Sequence, residues 1–463
     1  MIEKDVLNNL RTIVGEENLL TSKEDLINYS YDSSIDEAMP EVVLFPGTTE
    51  QVSEILKMAS KKKIPVTVRG AGTNLSGGTV PLKGGIVLVM TRMKKVIEFS
   101  KENRYIIVEA GLPNLEMQKI VMKEGLFFPP DPASWAVATM GGNVGENAGG
   151  PRGVKYGVTR DWILGLKVVM ADGRVINTGG VTMKNVTGID LTSLFCGSEG
   201  LLGVVTEVAL KLLPIPPFQQ SIQAFFDDVD DASKTVADII ASGIIPVSLE
   251  LLDRVVINMV EDSRKIGLPR DAEGMLIMMV DGFEDDCRKQ SAQIEKICKK
   301  HKAKNVEIAQ TKEQEDALWK ARRDAFGVMS QKRPNCILED VTVPVSNLPA
   351  MVKGTLEIGE KYDLTVGVMA HAGDGNTHPM IVTDKRDAEE WERVEKAIGE
   401  IFKLAVDLGG TLSGEHGIGI SKKPFMDLIY GEPEYQLMRE LKKVVDPEGI
   451  LNPGKMADAL YAE

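Results

Sequence analysis

PPDPASWAVATMGGNVGENAGGPRGVKYG, residues 129–157, is the stretch on which the fold turns. Glycines crowd it from Gly141 to Gly157, interleaved with Asn143, Asn147 and Ala148. Residues this small let backbone lie flat against a planar ligand and aim amide donors at its heteroatoms. With no ligand, such a long loop would cost much ordering entropy with little burial to offset it. It reads as the wall of a binding site.

Two neighbouring segments repeat that chemistry. VRGAGTNLSGG (68–78) follows a strand-like run, and its amides can converge on an anionic pyrophosphate. A nicotinamide-type fingerprint needs G-x-G-x-x-G opening a helix. Here Gly70 and Gly72 are followed by Leu75 and Ser76, and no amphipathic helix begins afterwards. CGSEGLLGVVTEVAL (196–210) is a third, shorter loop of the same kind.

Around these loops the chain alternates helix and strand signals. Thr48 and Gln51 form a capping-box pair ahead of Val52, Ile55, Leu56 and Ala59 at helical spacing. Strand runs lie at 64–70, 84–90, 104–111 and 164–173, the last ending in the Asp172-Gly173 turn signal. LKLLPIPPF (210–218) closes the region, since no helix crosses its prolines. Beyond it, strand candidates at 221–226, 274–282, 335–344 and 364–373 alternate with helical patterns at 284–301 and 312–331. This predicts an α+β layer with helices on one face. The expected domains are 1–215, 216–410 and a C-terminal return, 411–463.

Composition sets outer limits. The 463 residues are 43% hydrophobic and 26% charged, enough for two or three domains with a sizeable core. A net charge of −14 argues against nucleic acid or an anionic membrane as partner. The run Lys61-Lys62-Lys63 reads as the solvated end of a helix. The start, MIEKDVLNNL, lacks a signal peptide's apolar stretch, and no run approaches a membrane span, so a cytoplasmic protein is expected. Four scattered cysteines offer no C-x-x-C metal or cluster site.

Histidine is scarce but concentrated. Of four, His371 and His378 lie within HAGDGNTHP, and His416 follows Glu415 in GEHGIG; only His301 lies elsewhere. If Asp374-Gly375 is a two-residue hairpin turn, His371 stands directly opposite His378, with Cβ atoms roughly 4.5–5.5 Å apart. Two imidazoles at that spacing can share one divalent metal with a carboxylate, zinc or ferrous iron by ligand type. Asp374 and Asn376 are read as shaping the turn. A metallohydrolase is disfavoured, since H-E-x-x-H is missing.

RGAGTNLSGG, PPDPAS, GGNVGENAGG, GSEGLLGVVTE, HAGDGNTHP, SGEHGIG and LNPGK occur here in order. In these motifs the chain resembles FAD-linked D-2-hydroxyacid dehydrogenases of the D-lactate dehydrogenase and glycolate oxidase type, over nearly its whole length. The resemblance implies a vanillyl-alcohol-oxidase-type FAD-binding domain with an α+β cap domain and a C-terminal return segment. It places FAD pyrophosphate on Arg69, Gly70, Ala71, Gly72, Thr73, Asn74 and Gly77. Pro130, Asp131, Ser134, Thr139, Gly142, Asn143 and Gly149 would line the ribityl chain and ring, with Glu199, Gly200, Val205 and Asn452 completing the site. No histidine precedes His301 and the only early cysteine is Cys196, so the FAD is expected to be non-covalent.

Oxidising a 2-hydroxy acid requires a hydride acceptor, a base and a carboxylate clamp. Flavin is the acceptor. His371, His378 and Glu415 would hold the metal that polarises the hydroxyl, and His416 would take its proton. The family's W-x-x-R pattern, starting here at Trp319, makes Arg322 the clamp, with Arg323 its rival. Phe326 and Met380 stand where the 2-hydroxyglutarate branch carries threonine and asparagine, which favours a small monocarboxylate such as lactate or glycolate. The chain shows no haem, iron–sulfur or nicotinamide motif and no membrane anchor. A soluble electron-transfer flavoprotein or iron–sulfur subunit is therefore the expected acceptor. Two alternatives stay open: a same-fold FAD enzyme acting on 2-hydroxyglutarate, a sugar or an alkylglycerone phosphate, and a non-catalytic flavoprotein subunit.

Overall fold

The structure, a computed structural model, describes residues 2–456. The chain divides into two compact units. The first gathers Met1–Gly149, Val158–Ile215 and Glu415–Glu463; the second gathers Gly150–Gly157 and Pro216–Gly414.

The first unit holds two larger sheets and a two-stranded pairing of Leu126–Phe127 with Leu213–Pro214. Strands Leu19–Leu20, Val42–Leu44, Ile86–Val89 and Val66–Arg69 form one in that order, the last three running parallel. The helix Thr49–Lys62 supplies its crossover, and Thr48 accepts from the Gln51 amide as its cap. Val52, Ile55, Leu56 and Ala59 are fully buried against this sheet, in a core that Ile450 and Leu451 complete. The lysine run ends this helix, with Lys63 left-handed at φ 52°. Strands Val96–Ser100, Tyr105–Glu109, Val204–Lys211, Ile163–Val169 and Val175–Gly179 form a second, antiparallel sheet. The expected turn at Asp172-Gly173 connects Ile163–Val169 to Val175–Gly179, with Gly173 at φ 85°.

The C-terminal return is tied down by backbone and by buried lysines, among them Lys455, whose Nζ donates to Val80 O at 2.6 Å. Val66 donates to Ile450 O, and Asn452 donates back to Val66 O at 2.8 Å. Lys442 Nζ, on the helix Glu432–Val445, donates to Leu201 O, Leu451 O and Asp446 Oδ2, so the tail cannot swing away without baring an ammonium.

The second unit is built on an eight-stranded antiparallel sheet. Its path is Asn305–Ile308, Phe218–Phe226, Gly274–Gly282, Ser248–Asp253, Thr365–His371, Asn376–Thr383 and Asn335–Leu338; the short Val341–Thr342 also pairs with Asn376–Thr383. Helices cover both faces, not the single face predicted. Leu251, Leu276 and Met278 pack with residues of Val229–Ala241, Glu284–Lys300 and Leu348–Lys361. Leu252, Met275 and Ile277 pack with Arg254–Arg264 and Lys320–Met329. The reason lies in GMLIMMVDG, whose unbroken apolar run needs cover on both sides. The helical pattern 312–331 is interrupted at Trp319, whose indole N–H donates to Ser221 Oγ at 2.9 Å.

Residues Gly150–Gly157 group with this second unit although the sequence places them amid the first. Tyr156 donates to Asp281 Oδ2 at 2.7 Å, and Lys155 pairs with the same carboxylate. Val154 packs under Gly373, where a Cβ would come within 2.9 Å of it. No helix among the described residues is long and apolar enough to cross a membrane.

The histidine hairpin differs from its predicted register. His371 faces Asn376, and His378 faces Met369. A two-residue turn at Asp374-Gly375 needs positive φ at Asp374, in type I′ at Gly375 as well, but only Gly375 (φ 82°) has it. The Gly373 amide is also drawn to Leu249 O on the neighbouring strand. The loop therefore opens to four residues, with Asp374 N donating to His371 O at 3.3 Å. The histidines remain on one face, as diagonal neighbours.

Candidate active site

In the first unit the three glycine-rich loops line a cleft that opens to solvent. Seven of its seventeen lining residues are glycine, among them Gly70, Gly141, Gly142 and Gly200, so much of its wall is bare backbone. Crowding enforces this. A Cβ on Gly70 would sit 2.3 Å from Thr139 Oγ1, and one on Gly141 would sit 2.6 Å from Ala110 Cβ. Asn74 shapes the first loop, its Oδ1 accepting from the amides of Ser76 (2.8 Å) and Gly78 (2.7 Å). Thr139 caps the short helix Met140–Glu146, accepting from Gly142 N at 3.2 Å.

Of the residues expected to bind the cofactor, Gly70, Thr139, Gly142, Glu199, Gly200 and Val205 line the cleft. Others support its wall. Asn452 donates to Glu199 O (2.6 Å) and Gly78 O (3.0 Å), and Arg69 donates to Tyr31 O (2.6 Å) behind the loop in which Gly72 and Gly77 take positive φ. A Cβ on Gly149 would lie 2.6 Å from Glu415 Oε2. Ala71 is exposed, Thr73 half-buried, and Pro130, Asp131 and Ser134 belong to a segment outside the cleft lining.

Among the described residues, the buried atoms Asn143 Nδ2 and Glu146 Oε2 in this region have no hydrogen-bond partner. They are what a polar ligand would satisfy, and with the bare backbone they fit a flavin cofactor. Glu146 lines the cleft and was not anticipated, though an acid inside GENAGG was a visible signal. Burial, and then the neighbouring Glu199, push its carboxyl well above the usual range. Glu199 is also raised by burial, but accepts from Ile418 N (2.7 Å) and Gly419 N (2.8 Å). Burial lowers Lys455 to about 8 despite these acids. The GEHGIG motif thus rests on this wall. Ser76 Oγ and Asn74 Nδ2 donate to His416 O at 3.3 and 3.4 Å, and His416 Nε2 lies 3.9 Å from Glu415 Oε1.

In the second unit the rings of His371 and His378 meet edge-on, with centroids 5.0 Å apart. Both are buried. His371 Nδ1 lies 2.8 Å from Glu250 Oε1, and His378 Nδ1 lies 3.2 Å from Glu339 O. An Nδ1–H donated to each acceptor makes Nε2 the nitrogen that would bond a metal, the orientation typical of zinc and iron histidines. The donor set fits a divalent cation. Burial pushes the Glu250 carboxyl up, but His371 and Arg322 outweigh it and hold it at about 2. Arg322 Nε donates to the other Glu250 oxygen at 2.5 Å, while Arg323 turns away to Asp316 O. Asp340 is buried, accepting from Asn376 Nδ2 (2.5 Å), Ser413 Oγ (2.6 Å) and Gly414 N (3.1 Å). It thereby anchors the chain just before Glu415. Asn376 thus does more than shape the turn. Glu250 and Asp340 were both missed, although Glu250 is the lone charge inside VSLELL.

Residues 215–456 match the family described as FAD linked oxidases, C-terminal domain, and residues 40–179 match the FAD binding domain family. The chain is similar to the glycolate oxidase subunit GlcD of Bacillus subtilis, at 46% identity over 98% of this chain and 97% of that one. It is 36% identical to a D-lactate dehydrogenase of Archaeoglobus fulgidus, covering 90% of this chain and 92% of that one. Among solved structures, p-cresol methylhydroxylase with substrate bound superimposes with a TM-score of 0.82 at 18% identity, covering 100% of this chain and 99% of that one. The 4-ethylphenol oxidase of Gulosibacter chungangensis gives 0.80 at 18%, covering 98% of each. The fold is of the vanillyl-alcohol-oxidase type, as the motifs implied. The chain belongs to the FAD-linked D-2-hydroxyacid dehydrogenase family, and is an FAD-linked oxidoreductase acting on CH–OH groups.

Proposed function

We propose that this enzyme oxidises a small D-2-hydroxy acid, D-lactate first, to the 2-oxo acid, and passes the electrons to a protein partner. Residues 1–215 would carry the flavin, 216–410 the substrate, and 411–463 would complete both. The observation carrying this reading is the buried pair His371 and His378, each ring anchored through Nδ1. Such a pair suits metal-assisted removal of a hydroxyl proton.

When bound, non-covalent FAD supplies the hydride acceptor for C2, and a divalent metal held by His371, His378 and Glu415 supplies a Lewis acid. His416 accepts the hydroxyl proton. With its Nε on Glu250, Arg322 offers its Nη pair to the substrate carboxylate. Phe326 and Met380 belong to one apolar cluster. That supports a substrate with one carboxylate. Glycolate is the second reading, favoured by the name of the Bacillus relative. That relative is named as a subunit, in keeping with an electron-transfer flavoprotein or an iron–sulfur subunit as acceptor.

Anaerobic mixing of the purified flavoprotein with D-lactate, followed in the visible spectrum, is the test. Bleaching with D-lactate, faster than with L-lactate or glycolate, is expected. Flavin that stays oxidised with every 2-hydroxy acid would overturn the reading.

A further inference from the structure

Glu250 sits where a carboxylate is expensive. Its strand, Ser248–Asp253, runs through the middle of the sheet, and the residue is fully buried. Leu252, Met275, Ile277 and Met369 beside it belong to one apolar cluster. An ionised group in such surroundings needs full compensation from its partners. It has two, one on each oxygen. Oε1 lies 2.8 Å from His371 Nδ1, directly across the strand pair, and Oε2 accepts from Arg322 Nε at 2.5 Å. A carboxylate serving only to neutralise an arginine would use both oxygens on the guanidinium fork. This one divides them.

We propose that Glu250 is a positioning residue that ties the proposed metal centre to the proposed carboxylate clamp. Through Oε1 it fixes the His371 ring so that any metal bond is made by Nε2. Through Oε2 it stops the Arg322 guanidinium from rotating, so that its Nη fork keeps one orientation. This rests on the function proposed above, because it takes His371 as a metal ligand and Arg322 as the substrate's partner.

The test is Glu250→Gln in the FAD-loaded protein. One amide cannot accept from both partners, because its nitrogen only donates. Zn²⁺ affinity, measured by competition with a chelator and metal analysis, should fall roughly 10–100-fold. KM for D-lactate should rise together with that loss, while bound FAD stays stoichiometric. Arg322→Lys should raise KM and leave Zn²⁺ affinity within about 2-fold, a split that a merely structural role would not produce. If Glu250→Gln does not accumulate as a flavoprotein, Glu250→Gln/Arg322→Met removes both buried charges and should still bind Zn²⁺ roughly 10-fold more weakly. Unchanged Zn²⁺ affinity in these Glu250 variants overturns the proposal, and a change in only one of the two readouts overturns the coupling. Wild-type protein with no measurable Zn²⁺ affinity removes the metal assignment as well. Intact Zn²⁺ binding without flavin bleaching sinks the functional reading alone.

Discussion

The glycine cleft of the first unit and the histidine ribbon of the second are built by opposite means. The cleft offers backbone, since Gly70, Gly141, Gly142 and Gly200 leave its wall bare and adding a methyl at Gly70 or Gly141 meets a neighbour at once. The ribbon offers side chains, each held by a second residue: His371 by Glu250, His378 by the Glu339 carbonyl, Arg322 again by Glu250. A surface built from backbone suits a large, planar, invariant cofactor. A surface built from oriented side chains suits a small substrate whose charge changes during reaction.

The contrast breaks most visibly at the histidines. His371→Ala or His378→Ala should lower substrate-driven flavin reduction at least about 10³-fold, or about 4 kcal/mol, by removing a proposed metal ligand. Bound FAD should be unchanged, so stopped-flow rates and the flavin-to-protein ratio read the two regions separately. A variant that loses flavin as well would end the comparison.

Gly141→Ala is the converse. Its methyl would meet Ala110 Cβ at 2.6 Å and Ala110 O at 3.1 Å. Overpacking of this kind costs about 1–3 kcal/mol. The purified protein should be pale, with flavin absorbance sharply reduced, while its Zn²⁺ affinity survives. Full flavin content would show that the wall has slack.

Asp253 sharpens the second region further. It caps the helix Arg254–Arg264 through Val256 N at 2.9 Å, its Oδ2 is buried without a hydrogen-bond partner among the described residues, and burial, outweighing the backbone amides around it, raises its carboxyl from 3.8 to about 7. Between those values the folded state keeps a proton that the unfolded chain has released. Stability therefore falls as pH rises through that window and levels off above it. Denaturant melts at pH 5 and 8 should differ by about 1–3 kcal/mol through this group, and Asp253→Asn should remove that part of the slope. Parallel pH profiles for the two proteins would refute it.

The smallest effect is expected at Phe326. Phe326→Thr should shift the kcat/KM ratio of 2-hydroxyglutarate to D-lactate upward by about 10-fold or less. A ratio unmoved or lowered would separate Phe326 from substrate choice.

The two regions were also unequally legible. The cleft was readable because a glycine's role follows from the side chain it lacks. Gly70, Thr139, Gly142 and Gly200 line the cleft, whereas Pro130, Asp131 and Ser134 do not. The ribbon was readable in identity but not in register. His371 and His378 share a face as expected, yet Asp374 does not take the positive φ that a two-residue turn requires, and Gly373 pairs with Leu249 instead. Glu250 could be seen as an odd charge in an apolar strand, but its partners lie 72 and 121 residues away.

The chain's own residue types were enough to determine a cleft for a planar ligand and the scarce histidines as candidate ligands, while flavin and family came from the resemblance its ordered motifs carry. The first two depend on what a residue type can or cannot do at a local spacing. Tertiary structure alone decided that the sheet of the second unit is covered on both faces, that Gly150–Gly157 packs with that unit, and that one buried carboxylate serves both His371 and Arg322. Those outcomes depend on which distant segments compete for the same backbone amide or the same apolar face, and no local pattern records the winner.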